Sequence, residues 1–128
     1  MAKKNRIFIA FAADDAKYRT MLVGQAKLEH SPFEFVDMSV NEPWDEKWKT
    51  QCRSKIKGCD GVIALVSKKT MQASGARWEM NCANEEKIPM IGVHTDKDAK
   101  GEVPPELNGK KVIEWTWAGI AAFINYLP

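Results

Sequence analysis

Two stretches of the chain, Ile7-Phe-Ile-Ala-Phe11 and Val62-Ile-Ala-Leu-Val66, are continuously apolar where a half-exposed strand would alternate. Unbroken apolar runs of this kind suit strands of a parallel sheet whose two faces are both covered by helices. Extending the pattern predicts strands at Arg6–Phe11, Glu34–Asp37, Gly61–Val66, Met90–His94 and Lys111–Glu114. Helical periodicity predicts Asp15–Glu29, Trp44–Lys57, Gly75–Lys87 and Thr116–Tyr126, the second opening beside Pro43 and closing at Gly58, the last capped by Thr116. Asp96–Gly109, with Pro104, Pro105 and two glycines, reads as a loop with at most a short turn. Strands alternating with helices give an α/β fold with a parallel sheet, expected in the order 2-1-3-4-5.

The segment Ser74-Gly-Ala-Arg-Trp-Glu79 opens a helix directly after an apolar strand and the loop Ser67–Ala73, and it carries a carboxylate in the helix's first turns. Ser74 is the expected N-cap. At about 100° per residue, Ala76, Met80, Ala83 and the Lys87 stem share one stripe, Trp78 points nearly opposite and Glu79 lies on the border. A carboxylate there is expected to be half covered and to face a loop cleft. Ligands of open α/β sheets sit outside the carboxyl ends of the strands, at the switch point, here between the first and third strands. That rule gathers Phe11–Asp15, Asp37–Trp44 and Ser67–Ser74. Asp14, Ser39, Asn41, Thr70 and Ser74 can supply hydrogen bonds, and Phe11 and Trp44 offer planar surface for a base or ring.

Length and charge narrow the field. The 128 residues suit one domain spanning 1–128. Nineteen basic against seventeen acidic residues leave a net charge of +2, so apart from a small basic tip at Lys3, Lys4 and Arg6 no field attracts nucleic acid or an acidic membrane. The apolar run at Ile7–Ala13 is too short to cross a membrane and has no cleavage pattern, which points to the cytoplasm. Cys52, Cys59 and Cys82 form no CxxC pair, and with His30 and His94 they lack metal-site spacing; buried reduced thiols are expected. Neither GxGxxG nor a Walker sequence follows any strand, which argues against a dinucleotide dehydrogenase or a P-loop hydrolase.

Arg6-Ile-Phe-Ile-Ala-Phe11, Ile56-Lys-Gly-Cys-Asp-Gly-Val-Ile-Ala-Leu-Val66, and Lys69-Thr70, Ser74 and Trp78-Glu79 followed by Ile88-Pro-Met-Ile-Gly-Val93 together resemble a TIR-like domain. The branch they match best is that typified by the TIR protein of bacterial Thoeris anti-phage defence, and the similarity runs from Arg6 to about Leu127. The resemblance implies a flavodoxin-like three-layer sandwich. It also implies cleavage of the nicotinamide–ribose bond of NAD+ as substrate, with no further cofactor, and in the Thoeris branch cyclisation to a signalling isomer of cyclic ADP-ribose. The family's catalytic glutamate falls on Glu79, the pocket-lining loop on Phe11–Asp15, Ala12 included, and the preceding serine on Ser74. Many TIR domains place a tryptophan soon after that serine; here it is Trp78, beside the glutamate.

One carboxylate is enough for this chemistry, because nicotinamide leaves neutral and a nearby anion stabilises the oxocarbenium-like ribose; no metal is called for. Pocket closure then decides between internal capture, giving a cyclic product, and water, giving ADP-ribose. Blander readings stand beside these. Glu79 also reads as an acid favoured by the helix dipole, Phe11 as core, Asp14 and Asp15 as caps of the first helix, and Asp37 as a strand end. Trp44 and Trp48 pair at i, i+4 and pack on the sheet edge. Trp78 reads equally as a ring packed on Trp44 or Trp48 or as part of a self-association face. Cys82 lacks a histidine to activate it. The alternative function is a non-catalytic module that binds protein partners or a nucleotide; a nucleoside deoxyribosyltransferase shares the topology but not the Trp78-Glu79 context. Self-association is expected to order the loops Met38–Pro43 and Lys68–Ala73, and a separate effector protein is expected to respond to the product.

Overall fold

In the computed structural model, which describes residues 5–29, 33–36 and 46–127, five parallel strands form one sheet. They are β1 (Asn5–Ala10), β2 (Phe33–Val36), β3 (Gly61–Val66), β4 (Met90–His94) and β5 (Val112–Glu114). Their order is 2-1-3-4-5, as the sequence predicts. The register sets Ile7 beside Gly61 and Phe33 beside Asn5, and it sets Val62 beside Met90. Among the described residues four helices complete the layers: α1 (Ala16–Leu28), α2 (Glu46–Lys57), α3 (Ser74–Glu85) and α4 (Trp117–Asn125).

Period-2 alternation splits the apolar strands between two cores. Phe8, Ala10, Val62, Ala64 and Val66 pack with Trp48, Cys52 and Ile56 of α2 and with Ala76, Met80 and Ala83 of α3. Ile7, Ile9, Ile63, Leu65, Ile91 and Val93 pack with Leu22 of α1 and with Ile120 and Ile124 of α4. Every residue of β3 is buried, which explains why its sequence shows no alternation. Each large aliphatic side chain so covered contributes roughly 1.5–3 kcal/mol.

The helix ends follow local rules. Thr116 caps α4, its Oγ1 accepting from the Gly119 N–H at 3.2 Å. At α3 the expected serine cap fails: Ser74 is already the first helical residue, and the capping position falls on Ala73, which has no oxygen to offer. The far end of α3 also stops short of Lys87. Ile88 N–H donates to Ala83 O at 2.9 Å and Lys87 N–H to Asn84 O at 3.1 Å, a Schellman closure that puts Lys87 at φ +58°. The Lys87 stem therefore leaves the stripe assigned to it. Asp37, Ser39, Asn41, Pro43 and Trp44, with Lys3, Lys4 and His30, lie outside the described residues. Of the basic N-terminal tip, Arg6 faces Glu34 at 3.8 Å. Among the described residues no helix is long and apolar enough to cross a membrane.

All three cysteines are buried and reduced, as expected. Burial pushes each thiol above the ordinary value of 9.0, Cys59 to about 11 against the pull of Arg6, and Cys52 further still.

Lys87→Gly removes the left-handed strain of a side-chain-bearing residue, so urea denaturation should show a gain of up to about 1 kcal/mol. The thiols give a second test with a definite sign. A thiol held protonated in the fold, but ionising near its ordinary value in the unfolded chain, contributes stability at lower pH that is lost as pH rises between the two values. Stability should fall between about pH 9 and about pH 11, and Cys59→Ala should flatten that slope by as much as about 1.4 kcal/mol per pH unit.

Candidate active site

Two loops meet at the switch point. After β1 the chain runs through Phe11 and Ala12, both buried, into a 3-10 turn at Ala13–Asp15. After β3 it runs through Ser67 into a second 3-10 turn at Thr70–Gln72. Ser67 Oγ donates to Asp15 Oδ2 at 2.5 Å and accepts from Lys69 N–H at 3.1 Å. Thr70 Oγ1 accepts from Ser67 N–H at 2.8 Å and donates to Leu65 O at 3.3 Å. Asp15 is 5 % exposed, and a carboxylate so covered requires a donor. Although Asp15 stands at the capping position of α1, its side chain caps no helix amide and is engaged by Ser67 instead. Gly101 closes the arrangement from the β4 side: at φ +71°, an added Cβ would lie 2.6 Å from Ser67 O.

This latch floors a cavity of about 160 Å³ lined by Asp15, Tyr18, Ser67, Lys68, Lys69, Thr95, Asp96 and Ala99. It shares Tyr18, Thr95 and Asp96 with a larger one of about 450 Å³, which extends past Lys97 and Asp98 to Glu114, Trp115 and Thr116. The Tyr18 and Trp115 rings stand 6.3 Å apart.

Glu79 lines neither cavity. It belongs to the opposite layer and is 2 % exposed, whereas the sequence led us to expect a half-covered group facing a cleft. The cause is α2. Glu79 and Cys82 stand on the side of α3 that α2 covers, and Cys52 of α2 donates its thiol to Glu79 Oε2 at 3.7 Å. The two helices are fastened on either side of that contact. Trp48 meets Trp78 with ring centroids 5.5 Å apart, and Arg53 lies 5.6 Å from the Trp78 ring while pairing with Glu85 at 2.8 Å and Glu86 at 2.5 Å. Trp78 thus finds its cover within the chain, on Trp48. Trp48 is buried in the core that α2 and α3 share with the sheet. Arg77 steadies the first turns of α3 by gripping both oxygens of Glu106, at 3.0 and 3.1 Å, and the Met71 carbonyl at 3.2 Å.

The predicted site residues therefore separate. Phe11 is 6 % exposed in the α1–α4 core, with the Arg19 guanidinium 5.9 Å from its ring, so its faces are occupied by protein. Thr70 is buried and its hydroxyl committed to the loop. The turn in its loop is hydrogen-bonded, with Ala73 N–H donating to Thr70 O at 3.0 Å. Asp14 and Ser74 are exposed, and Ala12 is buried beside the latch. Ser39, Asn41 and Trp44 fall among the residues not described. Sequence reasoning passed over Tyr18, Thr95, Asp96 and Trp115. Thr95, Asp96 and Trp115 directly follow β4 and β5, so the carboxyl-end rule extends to them. Cys52 was also passed over as a partner of Glu79, though Trp48, Cys52 and Ile56 at i, i+4 and i+8 mark one face of α2.

A five-stranded 2-1-3-4-5 sheet with a buried carboxylate on the helix after β3 is the arrangement expected of a TIR-like domain. The family model described as "Thoeris protein ThsB, TIR-like domain" matches residues 8–100, a span from β1 through β4 that includes Glu79, and the chain belongs to that family. Among solved structures, the crystal structure of a prokaryotic SEFIR domain is similar over 95 % of this chain and 94 % of that one, with a TM-score of 0.61 and 14 % identity. At that identity the likeness concerns the fold. No curated protein matches the chain.

The latch can be tested by a double-mutant cycle. Asp15→Ala and Ser67→Ala each leave one buried polar partner unsatisfied and should cost about 1–3 kcal/mol in chemical denaturation. Their combination should cost clearly less than the sum, because both remove the same bond.

Proposed function

We propose that the protein cleaves the nicotinamide–ribose bond of NAD+ and converts the remainder into a cyclic ADP-ribose isomer, a signal in anti-phage defence read by a separate effector protein. The observation that carries this reading is Glu79, a carboxylate 2 % exposed in an otherwise largely apolar helix interface. A carboxylate is kept in such a place only where its partners offset the loss of water, and covered carboxylates of this kind concentrate at functional sites. In the proposed step the C1′–nitrogen bond breaks with its electron pair going to nicotinamide, which leaves neutral. The positive charge that develops on the ribose is stabilised by the Glu79 carboxylate, worth far more where water is excluded than in solution. A nitrogen of the adenine or a hydroxyl of the distal ribose then attacks C1′ and closes the ring, and the proton it carried passes to solvent. Water in its place gives ADP-ribose and a proton.

The second reading is a non-catalytic module that binds a nucleotide or a protein partner. It draws on the same exposure, since a carboxylate this covered reaches a substrate only after its surroundings rearrange.

Incubation with NAD+ and chromatography of the products separates the two readings. The wild-type protein, assayed at low and high concentration, should release nicotinamide. Glu79→Gln, which keeps the shape and removes the charge, should lower the rate by at least about a hundredfold with an unchanged circular dichroism spectrum. Equal rates in the two proteins would remove Glu79 from the chemistry, and no release by the wild type under any of these conditions would favour the binding module.

A further inference from the structure

We infer that Cys52 is a positioning residue for Glu79: its thiol, donating across the α2–α3 interface, fixes the direction in which the carboxylate points. The inference rests on the reading of Glu79 as the group that stabilises the ribose cation. Cys52 Sγ lies 3.7 Å from Glu79 Oε2, an ordinary separation for a sulfur donor, and Cys52 is 0 % exposed. A carboxylate is planar, so holding one oxygen toward α2 sets where the other lies. Burial first, and the neighbouring Glu79 charge second, push the Cys52 thiol up. It therefore stays protonated across the physiological range and remains a donor to the carboxylate instead of a second anion beside it.

The backbone around this contact is rigidly spaced. Trp48 and Arg53, one turn before and one residue after Cys52, bind α3 through the Trp78 ring and the Glu85 and Glu86 carboxylates. Ile56, one turn further along α2, is fully buried in the same core. A thiol on a helix fixed at these points cannot drift with respect to α3. Among the described residues, the charged and titratable groups that bear on Cys52 besides Glu79 are Cys82 from α3 and Lys55 from α2; the sheet beneath presents Phe8, Ala10, Ala64 and Val66.

The test combines steady-state kinetics on NAD+ with infrared spectroscopy of the S–H stretch. With the wild type active and Glu79→Gln inactive, Cys52→Ala should lower kcat roughly ten- to a hundredfold, the worth of a hydrogen bond to a charged group, while KM stays within about twofold. Cys52→Ser, which keeps a donor on a shorter stem, should recover part of kcat. Cys82→Ala, which deletes the neighbouring buried thiol, should keep the wild-type kcat. The S–H band assigned to Cys52 by difference should move to higher frequency in Glu79→Gln. A Cys52→Ala enzyme with wild-type kcat, or a kcat that falls equally in Cys52→Ala and Cys82→Ala in step with their melting temperatures, would overturn the inference while leaving Glu79 in its role. A stationary S–H band would overturn it as well. If instead Glu79→Gln matches the wild type, or the wild type is inert, the catalytic reading fails and the positioning role falls with it.

Discussion

The structure depends on the complete burial of β3. With all six of its residues covered, the strand must be flanked by β1 and β4 and roofed by helices on both faces, because an exposed face would leave apolar side chains in water. A parallel pairing then forces each connection to cross from the carboxyl end of one strand to the amino end of the next. The loops after β1, β3 and β4 consequently lie side by side. The Asp15–Ser67 bond and the close approach of Gly101 to Ser67 are the local result of that crowding.

The two layers of helices are not equivalent. On one face α1 and α4 meet the sheet through hydrocarbon, and polar surface appears only at the rim, where Tyr18, Thr95, Asp96 and Trp115 enclose the cavities. On the other face α2 and α3 also pack on each other, and the carboxylate of Glu79 lies within that contact. The α2–α3 interface holds aromatic, ionic and thiol–carboxylate contacts within a few turns, so the spacing that stabilises the fold is also the spacing at which Cys52 meets Glu79. Stability and the proposed chemistry draw on the same residues there.

The architecture was largely legible in the chain. Unbroken apolar runs gave the central strands, and the alternation of strand and helix gave a parallel sheet whose order the structure reproduces. Turn chemistry was read with mixed success: Thr116 caps α4 as expected, while Ser74 does not cap α3. A serine hydroxyl caps from the residue before the first helical one, and that position is held by Ala73, which also ends the turn at Thr70–Gln72. Lys87 escaped notice for a related reason, since nothing in a lysine announces a left-handed conformation. The family resemblance pointed to Glu79, yet its environment was misjudged.

What the sequence determined by itself is the set of periodicities, and with them which residues share a face of each strand or helix. Those follow from local geometry, 3.6 residues per helical turn and two per strand repeat. What only the tertiary structure decided is what each face meets. Glu79 lies on the border of a helical stripe, and only the folded chain, in which Cys52 of α2 meets it, leaves it 2 % exposed. Phe11 is a platform if its ring reaches the cleft and core once α1 and α4 close over it. Such outcomes depend on contacts between segments far apart in the chain, Cys52 with Glu79 and Asp15 with Ser67, and no local pattern encodes a pairing whose two halves are brought together only by the folded sheet.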